Sequence, residues 1–526
     1  MRRAFWARLI AAMILGSLAL PTQALSAWQV GTPIVAYTTF YNNIDATDPT
    51  TLTPAIAQQA VAGGFNLVTI NDVSQLAIAE QYGLRAQLVI SGHQPQNNLF
   101  FLPGTNWPAL ANVPAINALI NAFKASPAAY DYNIIDEPGA SRFPHLGSIV
   151  SFIRARDPNH LAYINLFPSH EIQTDLETNN YGEYLNQYVN TVHPSLLSYD
   201  HYSFMVGSDE STYLQNLQLV AAKAKQAGIP FMNVVQGMST GANSRVPNAN
   251  ELRFLNYTTL AYGAQGISYF NYRAGPNNGG IEPNSDGTPT TVFTALVPLN
   301  HEFVEVATQL QSLEWIGTYL KGYRTTGAGF QGPRDTATLP GDAPFNINSV
   351  LNNTTYVDGV PLKGVMFGFF GPDDSSVGDA AFALVTNLDY TTSKTYRVNG
   401  PGLLSTFDAT TGVWTATGQN YADLTLAPGG GILVGLTSTI VILGDVNHDG
   451  FVNIFDINLV SSNWGAPGPA GDANKDGIVN IFDINLISSK WTPAPGEAAA
   501  VPEPSTLGVL GIGFLGLLGC AGRMRK

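Results

Sequence analysis

The chain has 526 residues, which is too long for one ordinary hydrophobic core, so two to four domains are expected. Its 38 Asp and Glu residues outnumber its 24 Lys and Arg residues, and no basic patch is present, which argues against a nucleic-acid partner. The single cysteine, Cys520, excludes a disulfide framework.

Residues 1–27 have the pattern of a signal peptide. Three arginines within the first eight residues form a positive start, an apolar run covers 9–20, and small residues at 24–27 offer a cleavage site. A membrane anchor is the weaker alternative, because this apolar run is short for a bilayer. We therefore expect an exported protein.

Residues 28–320 alternate between strand-like and helix-like segments. Eight strands that alternate with amphipathic helices are typical of a (β/α)8 barrel, and an open doubly wound sheet is the alternative. No glycine-rich phosphate-binding motif follows any strand, so nucleotide binding has no support. The predicted strands are 33–41, 65–71, 85–91, 132–136, 161–167, 196–202, 230–236 and 266–272.

In such a barrel the carboxyl ends of the strands line one mouth. Polar and aromatic residues are concentrated at those positions, and they supply the hydrogen bonds and ring faces that a sugar needs. For any one of them a structural role is the more common alternative, but the set indicates a sugar site. The candidate substrate-binding residues are Tyr41, Asn71, His93, Asn165, Tyr202, Gln236, Tyr272 and Arg273.

The stretch AYDYNIIDEPG at 129–139 ends a buried strand on two adjacent carboxylates, Asp136 and Glu137. Crowding two carboxylates raises the pKa of one of them, and a raised pKa suits general acid chemistry. The structural alternative is that Asp136 caps the following helix and that Glu137 is a solvated loop residue.

Four stretches of this domain resemble one family of enzymes. They are IIDEP at 134–138, AYINLFPS at 162–169, LLSYDHYSF at 196–204 and ELRFLNYTTLAYGAQGISYFNYR at 251–273. Over roughly residues 30–320, they resemble glycoside hydrolases near the β-galactosidases of family 42. The resemblance implies that Glu137 is the proton donor to the leaving glycosidic oxygen.

Two residues depart from that family's pattern: Asp136 stands where many such hydrolases carry Asn, and Gln236 stands where they carry a Glu nucleophile. The first interpretation is that Asp200 is the second carboxylate, as nucleophile or base. The second is that Asp136 and Glu137 act as a dyad on N-acetylated sugars, with Asp136 orienting the acetamide. The third is that the barrel binds glycan without cutting it. The structural alternative for Asp200 is an ion pair with Arg273 or a hydrogen bond within the mouth.

Helical periodicity stops after Tyr319, where short alternating strands separated by Gly, Asp, Asn and Pro begin. This pattern predicts a small antiparallel β-sandwich at 321–440. The stretch LAPGGGILVGL at 426–436 resembles the closing strand of β-domains that follow such barrels, and its expected role is to pack against the barrel.

The stretch GDVNHDGFVNIFDINLVSSNW at 444–464 recurs as GDANKDGIVNIFDINLISSKW at 471–491. Each copy spaces oxygen ligands around a glycine turn as a calcium loop does, so two calcium ions are expected; a pair of Asx-rich turns is the alternative. The ligands would be Asp445, Asn447, Asp449, the Phe451 carbonyl, Asn453 and Asp456 in one copy, and Asp472, Asn474, Asp476, the Ile478 carbonyl, Asn480 and Asp483 in the other.

The last ligand of each loop is Asp instead of Glu, and one helix follows each loop. These features make residues 444–491 resemble a type I dockerin more than a paired EF-hand. The resemblance implies a cohesin-type partner or an internal clamp.

The C-terminal segment combines a linker at 492–500, the motif VPEPS at 501–505, an apolar run at 507–521 and a basic end. Residues 501–526 resemble a PEP-CTERM sorting signal, which implies processing by an exosortase-type enzyme and sorting to the cell surface or extracellular matrix. The apolar run is barely long enough for a bilayer and predicts a transient transmembrane segment; a permanent anchor is the alternative.

We therefore expect a multidomain, secreted glycoside hydrolase that acts on oligo- or polysaccharide. No cofactor is expected for catalysis, because the eight histidines show no metal-ligand spacing. The dockerin would serve assembly or anchoring. The competing class is a non-catalytic glycan-binding surface or scaffold protein, which Gln236 favours.

Overall fold

The computed structural model describes residues 33–38, 51–90, 98–102, 107–207, 212–274, 278–311, 313–321, 337–339, 343–350, 364–372, 376–439, 444–446, 452–465, 470–473 and 479–491. The chain separates into two compact units, Met1–Thr437 and Ser438–Lys526. The first unit holds the barrel and the β-domain, and the second holds the repeat.

The first unit contains a closed barrel of eight parallel strands, so the predicted (β/α)8 barrel is confirmed. Each strand pairs with the next one in the chain, and β8 pairs with β1 to close the barrel. The strands are β1 (Ile34–Tyr37), β2 (Leu67–Ile70), β3 (Arg85–Val89), β4 (Ala129–Asp136), β5 (Leu161–Leu166), β6 (Leu197–His201), β7 (Phe231–Gln236) and β8 (Gly266–Phe270).

Several helices around the barrel begin or end at residues with a capping role. The Asn180 side chain accepts a hydrogen bond from the Glu183 amide at the start of α6, and Asn248 forms a capping box with Glu251 at α8. Gly228, with a φ of 65°, ends α7. The described helices are α1 (Pro54–Ala62), α2 (Leu76–Gln81), α3 (Val113–Phe123), α4 (Phe143–Arg154), α5 (Gln173–Leu176), α6 (Tyr181–Val192), α7 (Tyr213–Ala227), α8 (Ala249–Ala261) and α9 (Thr291–Leu310).

The barrel interior is filled by side chains in layers, as expected of this fold. Toward the carboxyl ends of the strands, buried polar side chains take over, among them Asn165, Ser198 and Asp200. Ser198 and Asp200 are two residues apart on β6 and therefore face the same interior. The apolar layer near the amino ends contains Ile34, Ala36, Leu67, Tyr130, Leu161, Tyr163, Leu196 and Met232.

The β-domain follows within the same unit and confirms the predicted all-β region. Seven strands form one sheet in the order β10-β9-β12-β13-β18-β15-β16, and three form another in the order β11-β14-β17. Neighbouring strands are antiparallel except β9 and β10. The strands are β9 (Glu314–Lys321), β10 (Ala337–Thr338), β11 (Asn346–Val350), β12 (Val365–Gly371), β13 (Phe382–Asn387), β14 (Lys394–Asn399), β15 (Leu404–Asp408), β16 (Val413–Ala416), β17 (Tyr421–Leu426) and β18 (Gly431–Leu436).

The β-domain packs against α8 of the barrel, which is the role expected for it. Gly368 on β12 lies so close to this helix that a Cβ would meet the Ala261 carbonyl oxygen at 2.2 Å. The Thr318 hydroxyl donates to the same carbonyl at 2.8 Å. The Arg253 side chain of α8 donates to the Pro428 carbonyl at 3.2 Å. The domain therefore supports the helix that precedes β8.

The second unit contains α10 (Ile454–Ser462) and α11 (Ile481–Ser489), which begin at equivalent positions of the two repeats. Its small core uses apolar side chains from both copies. The buried members of this core are Val452, Val460, Ala473, Val479 and Ile487.

The expected transmembrane segment has to be corrected. Across the residues that the structure describes, no helix combines enough length with enough apolar character to cross a membrane. The apolar run at 507–521, on which that expectation rested, lies outside the described residues. The signal peptide at 1–27, the linker and the sorting motif also lie outside them.

Candidate functional site

The candidate site is built around Glu137, the residue that follows β4. Its backbone has a φ of 45°, in the left-handed region that side-chain-bearing residues rarely occupy. The Glu137 amide donates to the Asn165 carbonyl oxygen at 2.9 Å, which extends the pairing of β4 with β5 by one residue. This backbone turn ends the strand and sets the direction of the carboxyl side chain.

Two residues hold the loop after Glu137: Glu177, which precedes α6, and Tyr184, which lies within α6. The Tyr184 hydroxyl donates to the Pro138 carbonyl at 2.7 Å, and the Ser141 amide donates to Glu177 Oε2 at 2.6 Å. Glu177 also lies against Gly139, where a Cβ would meet its carboxyl carbon at 2.7 Å. A side chain at position 139 would displace the Glu177 carboxyl, so the glycine of the Glu-Pro-Gly sequence permits this close contact.

Three carboxyl groups meet in the mouth, from Asp136, Glu137 and Asp200. Asn165 Nδ2 donates to Asp136 Oδ1 and to Asp200 Oδ1, each at 3.0 Å. Asp200 is 4% exposed and also accepts a hydrogen bond from Tyr202. These residues lie together because β4, β5 and β6 are consecutive parallel neighbours, and the carboxyl ends of such strands meet at one mouth.

Burial, and after it the charges of Asp200, Asp136 and Glu171, together raise the pKa of Glu137 to about 9. A hydrogen bond to Asp200 also favours the protonated form of Glu137. Burial and the charge of Asp136 raise the pKa of Asp200 to about 7, while its hydrogen bonds with Tyr202 and Asn165 oppose that rise. Of these two carboxyls, Glu137 has the higher pKa and is therefore the one that holds a proton more firmly.

A protonated carboxyl at the mouth of the barrel is equipped to act as a general acid. Asp200 is close enough for a hydrogen bond with Glu137 to favour the protonated form of Glu137. In glycosidases the second carboxyl of such a pair acts as nucleophile or as base, and the separation of the two carboxyls, about 5–5.5 Å or about 6.5–9.5 Å, distinguishes retaining from inverting enzymes.

The other candidate sugar-binding residues differ in what their side chains contact. Tyr202 borders the carboxyl cluster and packs on Phe270, with ring centroids 5.0 Å apart. Tyr272 is 7% exposed and donates to Gln59 Oε1 at 2.8 Å, and the Asn71 side chain accepts from Gln75. These last two contacts are structural in kind.

Gln236 is fully buried, and its side chain is used by the backbone. Its Oε1 accepts from the Phe204 amide at 2.8 Å, while Nε2 donates to the Phe204 carbonyl at 3.2 Å and to the Arg245 carbonyl at 2.8 Å. The amide thus joins the loops that follow β6 and β7, and both its oxygen and its nitrogen are bonded to backbone groups. Its place in the sequence predicted a substrate contact, whereas its contacts here are structural.

Arg273 pairs with Glu282 on its own loop, so the ion pair considered between Arg273 and Asp200 is not what this structure shows. Asp200 instead takes hydrogen bonds within the mouth. Tyr41 and His93, two further candidates, lie outside the described residues.

Four residues near Glu137 were absent from the sequence predictions: Glu171, Glu177, Tyr184 and Ser198. Glu171 follows β5, and Ser198 is two residues before Asp200, so the strand-end and alternation rules contained a signal for both. Glu177 and Tyr184 reach the site from a loop and a helix, and no local sequence pattern indicates that contact.

In the second unit, the structure describes the outer residues of each repeated loop. Asp456 is completely buried, and its carboxylate accepts from the Val446 and Asn453 amides at 2.9 and 2.8 Å. Asp483 accepts from the Asn480 amide at 2.7 Å, so the two loops end in the same way. The Asn453 side chain accepts from the Phe455 amide at 2.8 Å and caps α10.

Asp445 is 4% exposed, so the first loop carries two buried carboxylates, Asp445 and Asp456. Burying two negative charges is costly without a cation, and this donor chemistry fits a calcium ion. Asp472 is partly buried at the equivalent place in the second loop. The remaining predicted ligands, Asn447, Asp449, Phe451, Asn474, Asp476 and Ile478, lie outside the described residues.

Two segments match known protein families. Residues 443–492 match the model of the dockerin type I domain, and residues 500–526 match that of the PEP-CTERM protein-sorting motif. No curated protein matches the chain. The two family matches lie next to each other at the C-terminal end, and neither includes the barrel.

Solved structures similar to this chain include several enzymes. One is described as a glycoside hydrolase, at 12% identity and a TM-score of 0.43, covering 76% of this chain and 92% of that one. Another is an α-amylase from Anoxybacillus, at 10% identity and a TM-score of 0.42, covering 79% and 100%. A third is a family 27 β-L-arabinopyranosidase from Geobacillus stearothermophilus, at 10% identity and a TM-score of 0.41, covering 77% and 97%.

Proposed function

We propose that this protein is a secreted glycoside hydrolase that acts on an oligo- or polysaccharide, with Glu137 as the general acid. The observation that carries the proposal is the cluster of the half-buried Glu137 carboxyl with Asp136 and Asp200 at the mouth of a (β/α)8 barrel, where burial and the neighbouring charges raise the pKa of Glu137 to about 9. A neutral acid at neutral pH can give its proton to the leaving glycosidic oxygen. The sequence resemblance to family 42 supports the same role for Glu137.

Asp200 is the second carboxylate in this proposal. Its hydrogen bonds with Asn165 and Tyr202 favour its charged form, which a nucleophile or base needs. Glu137 and Asp200 share a hydrogen bond, so on substrate binding the Glu137 proton has to pass from that bond to the leaving glycosidic oxygen.

A second mechanism is supported by the adjacency of Asp136 and Glu137 and by the hydrogen bond that Asp200 shares with Glu137. In this mechanism Asp200 is not the nucleophile, and Asp136 is the residue that orients a substrate acetamide. The acetamide oxygen would then be the nucleophile, and the substrate would be an N-acetylated sugar. In that case Asp200 raises the pKa of Glu137 and takes no part in bond making.

The competing function is glycan binding without hydrolysis. Its support is Gln236, because β7 supplies a buried amide bonded to backbone where related hydrolases carry a Glu nucleophile. This departure also separates the chain from the family 42 pattern. The raised pKa of Glu137 favours hydrolysis over this function, because a raised pKa is what a general acid needs at neutral pH.

For the second unit we propose two calcium ions, one in each loop, and a cohesin-type partner. The dockerin type I match and the buried Asp445 and Asp456 support this. For the C-terminal segment we propose processing by an exosortase-type enzyme and sorting to the cell surface or extracellular matrix, on the support of the PEP-CTERM match.

A screen of aryl glycosides, including N-acetylhexosaminides, tests the proposed activity. Wild type, Glu137→Gln and Asp200→Ala are compared on each substrate and on polysaccharides. Turnover that depends on both carboxyls supports the Asp200 mechanism. Turnover of N-acetylhexosaminides alone, retained in Asp200→Ala, supports the acetamide mechanism. Binding of glycan with no turnover of any substrate would contradict both and support the competing function.

A further inference from the structure

Asn165 lies at the carboxyl end of β5, between the carboxylates of the two neighbouring strands. Its Nδ2 atom donates to Asp136 Oδ1 and to Asp200 Oδ1, each at 3.0 Å. An amide nitrogen carries two hydrogens, so these two bonds use both. No donor therefore remains on this side chain for a sugar hydroxyl.

The oxygen of the same amide is fixed from the other side. Ser198 Oγ donates to Asn165 Oδ1 at 3.0 Å. A hydroxyl has one hydrogen, so the 2.8 Å contact between Tyr163 and Ser198 must have Tyr163 as its donor. Asn165, Ser198 and Tyr163 are 8%, 1% and 4% exposed. The chain of donors therefore runs in one direction and points both amide hydrogens at the carboxylates.

We propose that Asn165 is a positioning residue that keeps the proton of the carboxyl cluster on Glu137, and that Ser198 and Tyr163 hold its amide in the required orientation. A hydrogen bond from an N–H group stabilises the charged form of a carboxylate. Asn165 gives one such bond to each aspartate and gives none to Glu137. Negative charge therefore stays on the aspartates, and the acid is Glu137.

Among the described residues, the titratable groups that face Glu137 are carboxyls and phenols. They are Asp136 from β4, Asp200 and Tyr202 from the end of β6, Glu171 from the loop after β5, and Tyr184 from α6. None of these five is a cation, so none can select one carboxylate by charge attraction. Hydrogen bonds therefore decide which carboxyl of the cluster is ionised. The order of the pKa values, with Glu137 above Asp200, agrees with this assignment.

The inference deepens the proposed function and is tested by a measurement that does not need activity. The full chain is labelled with 13C at Asp and Glu side-chain carboxyls, and Glu137→Gln and Asp200→Asn assign the two signals. In Asn165→Ala we expect the Asp200 midpoint to rise and the Glu137 midpoint to fall, each by about one pH unit. The alkaline limb of kcat/KM should move down with Glu137.

Asn233→Ala is the matched control, because Asn233 is a buried strand amide bonded to Thr259 and Tyr213. It should lower the melting temperature and leave both midpoints in place. Ser198→Ala should shift the midpoints in the same direction by less, and it replaces Asn165→Ala if that variant fails to fold. Unchanged midpoints in the folded variant would overturn the inference. Shifted midpoints in a protein that hydrolyses no glycoside would uphold it while contradicting the proposed function.

Discussion

At the scale of single residues, Glu137 combines a strained backbone with a perturbed carboxyl. A left-handed conformation costs an ordinary residue roughly 1–2 kcal/mol, so it persists only where neighbouring contacts fix it. Here the Asn165 carbonyl holds the Glu137 amide, and Tyr184 holds the next peptide. The strain places the carboxyl against Asp200, where burial and charge keep it protonated.

A buried carboxyl on β4, Asp131, should make the free energy of unfolding depend on pH. It lies 1% exposed on β4, and burial raises its pKa to about 8 although Gln87 donates to it at 3.1 Å. Its folded pKa is above the value of 3.8 expected in the unfolded chain, so its contribution is present below about pH 4 and is lost as pH rises toward 8.

Asp131→Asn should remove the loss of stability that accompanies ionisation of Asp131 at high pH, because an amide does not ionise. We expect the free energy of unfolding of the barrel at pH 8 to rise by up to about 5 kcal/mol relative to wild type, with little change at pH 4. Urea unfolding followed from pH 4 to pH 9 measures this. Asp423→Asn, at a solvent-exposed ion pair, is the control and should keep the wild-type slope. An Asp131→Asn curve parallel to wild type would show that Asp131 does not ionise in this range.

At the scale of elements, the conformation of the loop between β4 and α4 is fixed by the residues that contact it. Gly139→Ala would bring a methyl group to 2.7 Å from the Glu177 carboxyl carbon and to 3.0 Å from the Asp175 carbonyl oxygen. The Glu177 carboxyl must move, and the Ser141 amide then loses its acceptor, so the loop that carries Glu137 loses one of its supports. We expect kcat to fall on the order of 10²-fold, because misplacing a catalytic group by about 1 Å costs that much.

Steady-state kinetics and thermal melting, measured together, test this loop prediction. Gly402→Ala in the β-domain is the control, since its new methyl group would meet only an ordinary 3.8 Å contact. The control should keep wild-type kcat. A Gly139→Ala enzyme with wild-type kcat would mean that the contact between Glu177 and the loop does not position Glu137.

The two loops of the second unit predict calcium-dependent order. Asp449→Ala with Asp476→Ala removes one carboxylate from each loop, and metal affinity in such loops follows ligand charge. Calorimetry on the full chain should find two calcium ions in wild type and a large loss of affinity in the double variant. Asp379→Ala in the β-domain serves as the control. Full calcium affinity in the double variant would exclude these loops as the sites.

At the scale of the whole molecule, the C-terminal segment predicts processing. The form of the protein recovered from the surface of its native host should lack the residues after the VPEP motif at 501–504. Intact-mass spectrometry measures this, and the same chain expressed without an exosortase-type enzyme is the control. A surface form that retains Arg523 and Lys526 would contradict processing.

The fold was predictable because a regular chain pattern controls it. Eight apolar runs separated by amphipathic helices were enough to predict the barrel, and the strand order then brings Asp136, Asn165 and Asp200 to one mouth. The position along a strand decides which end of the barrel a side chain reaches, and that is visible in the sequence.

Contacts across the mouth were not predictable in the same way. Gln236 stands at a strand end like Asn165, yet its amide turns to backbone atoms of two loops. The Tyr184 hydroxyl donates to the carbonyl of a residue 46 positions away in the chain. Arg273 forms its ion pair with Glu282, within its own loop. Side-chain direction depends on the packed neighbours, and no local pattern encodes those neighbours.

The central claim is that Glu137 is the proton donor, and the leaving-group dependence of Glu137→Gln tests it most directly. The measurement compares kcat/KM of wild type and Glu137→Gln across aryl glycosides whose phenols range from strongly to weakly acidic. We predict a small loss for acidic phenols, which need little protonation, and a loss of about 10²–10⁴-fold for the least acidic. Wild-type activity should also fall as pH rises through the Glu137 pKa of about 9. A loss equal for every leaving group would contradict the claim.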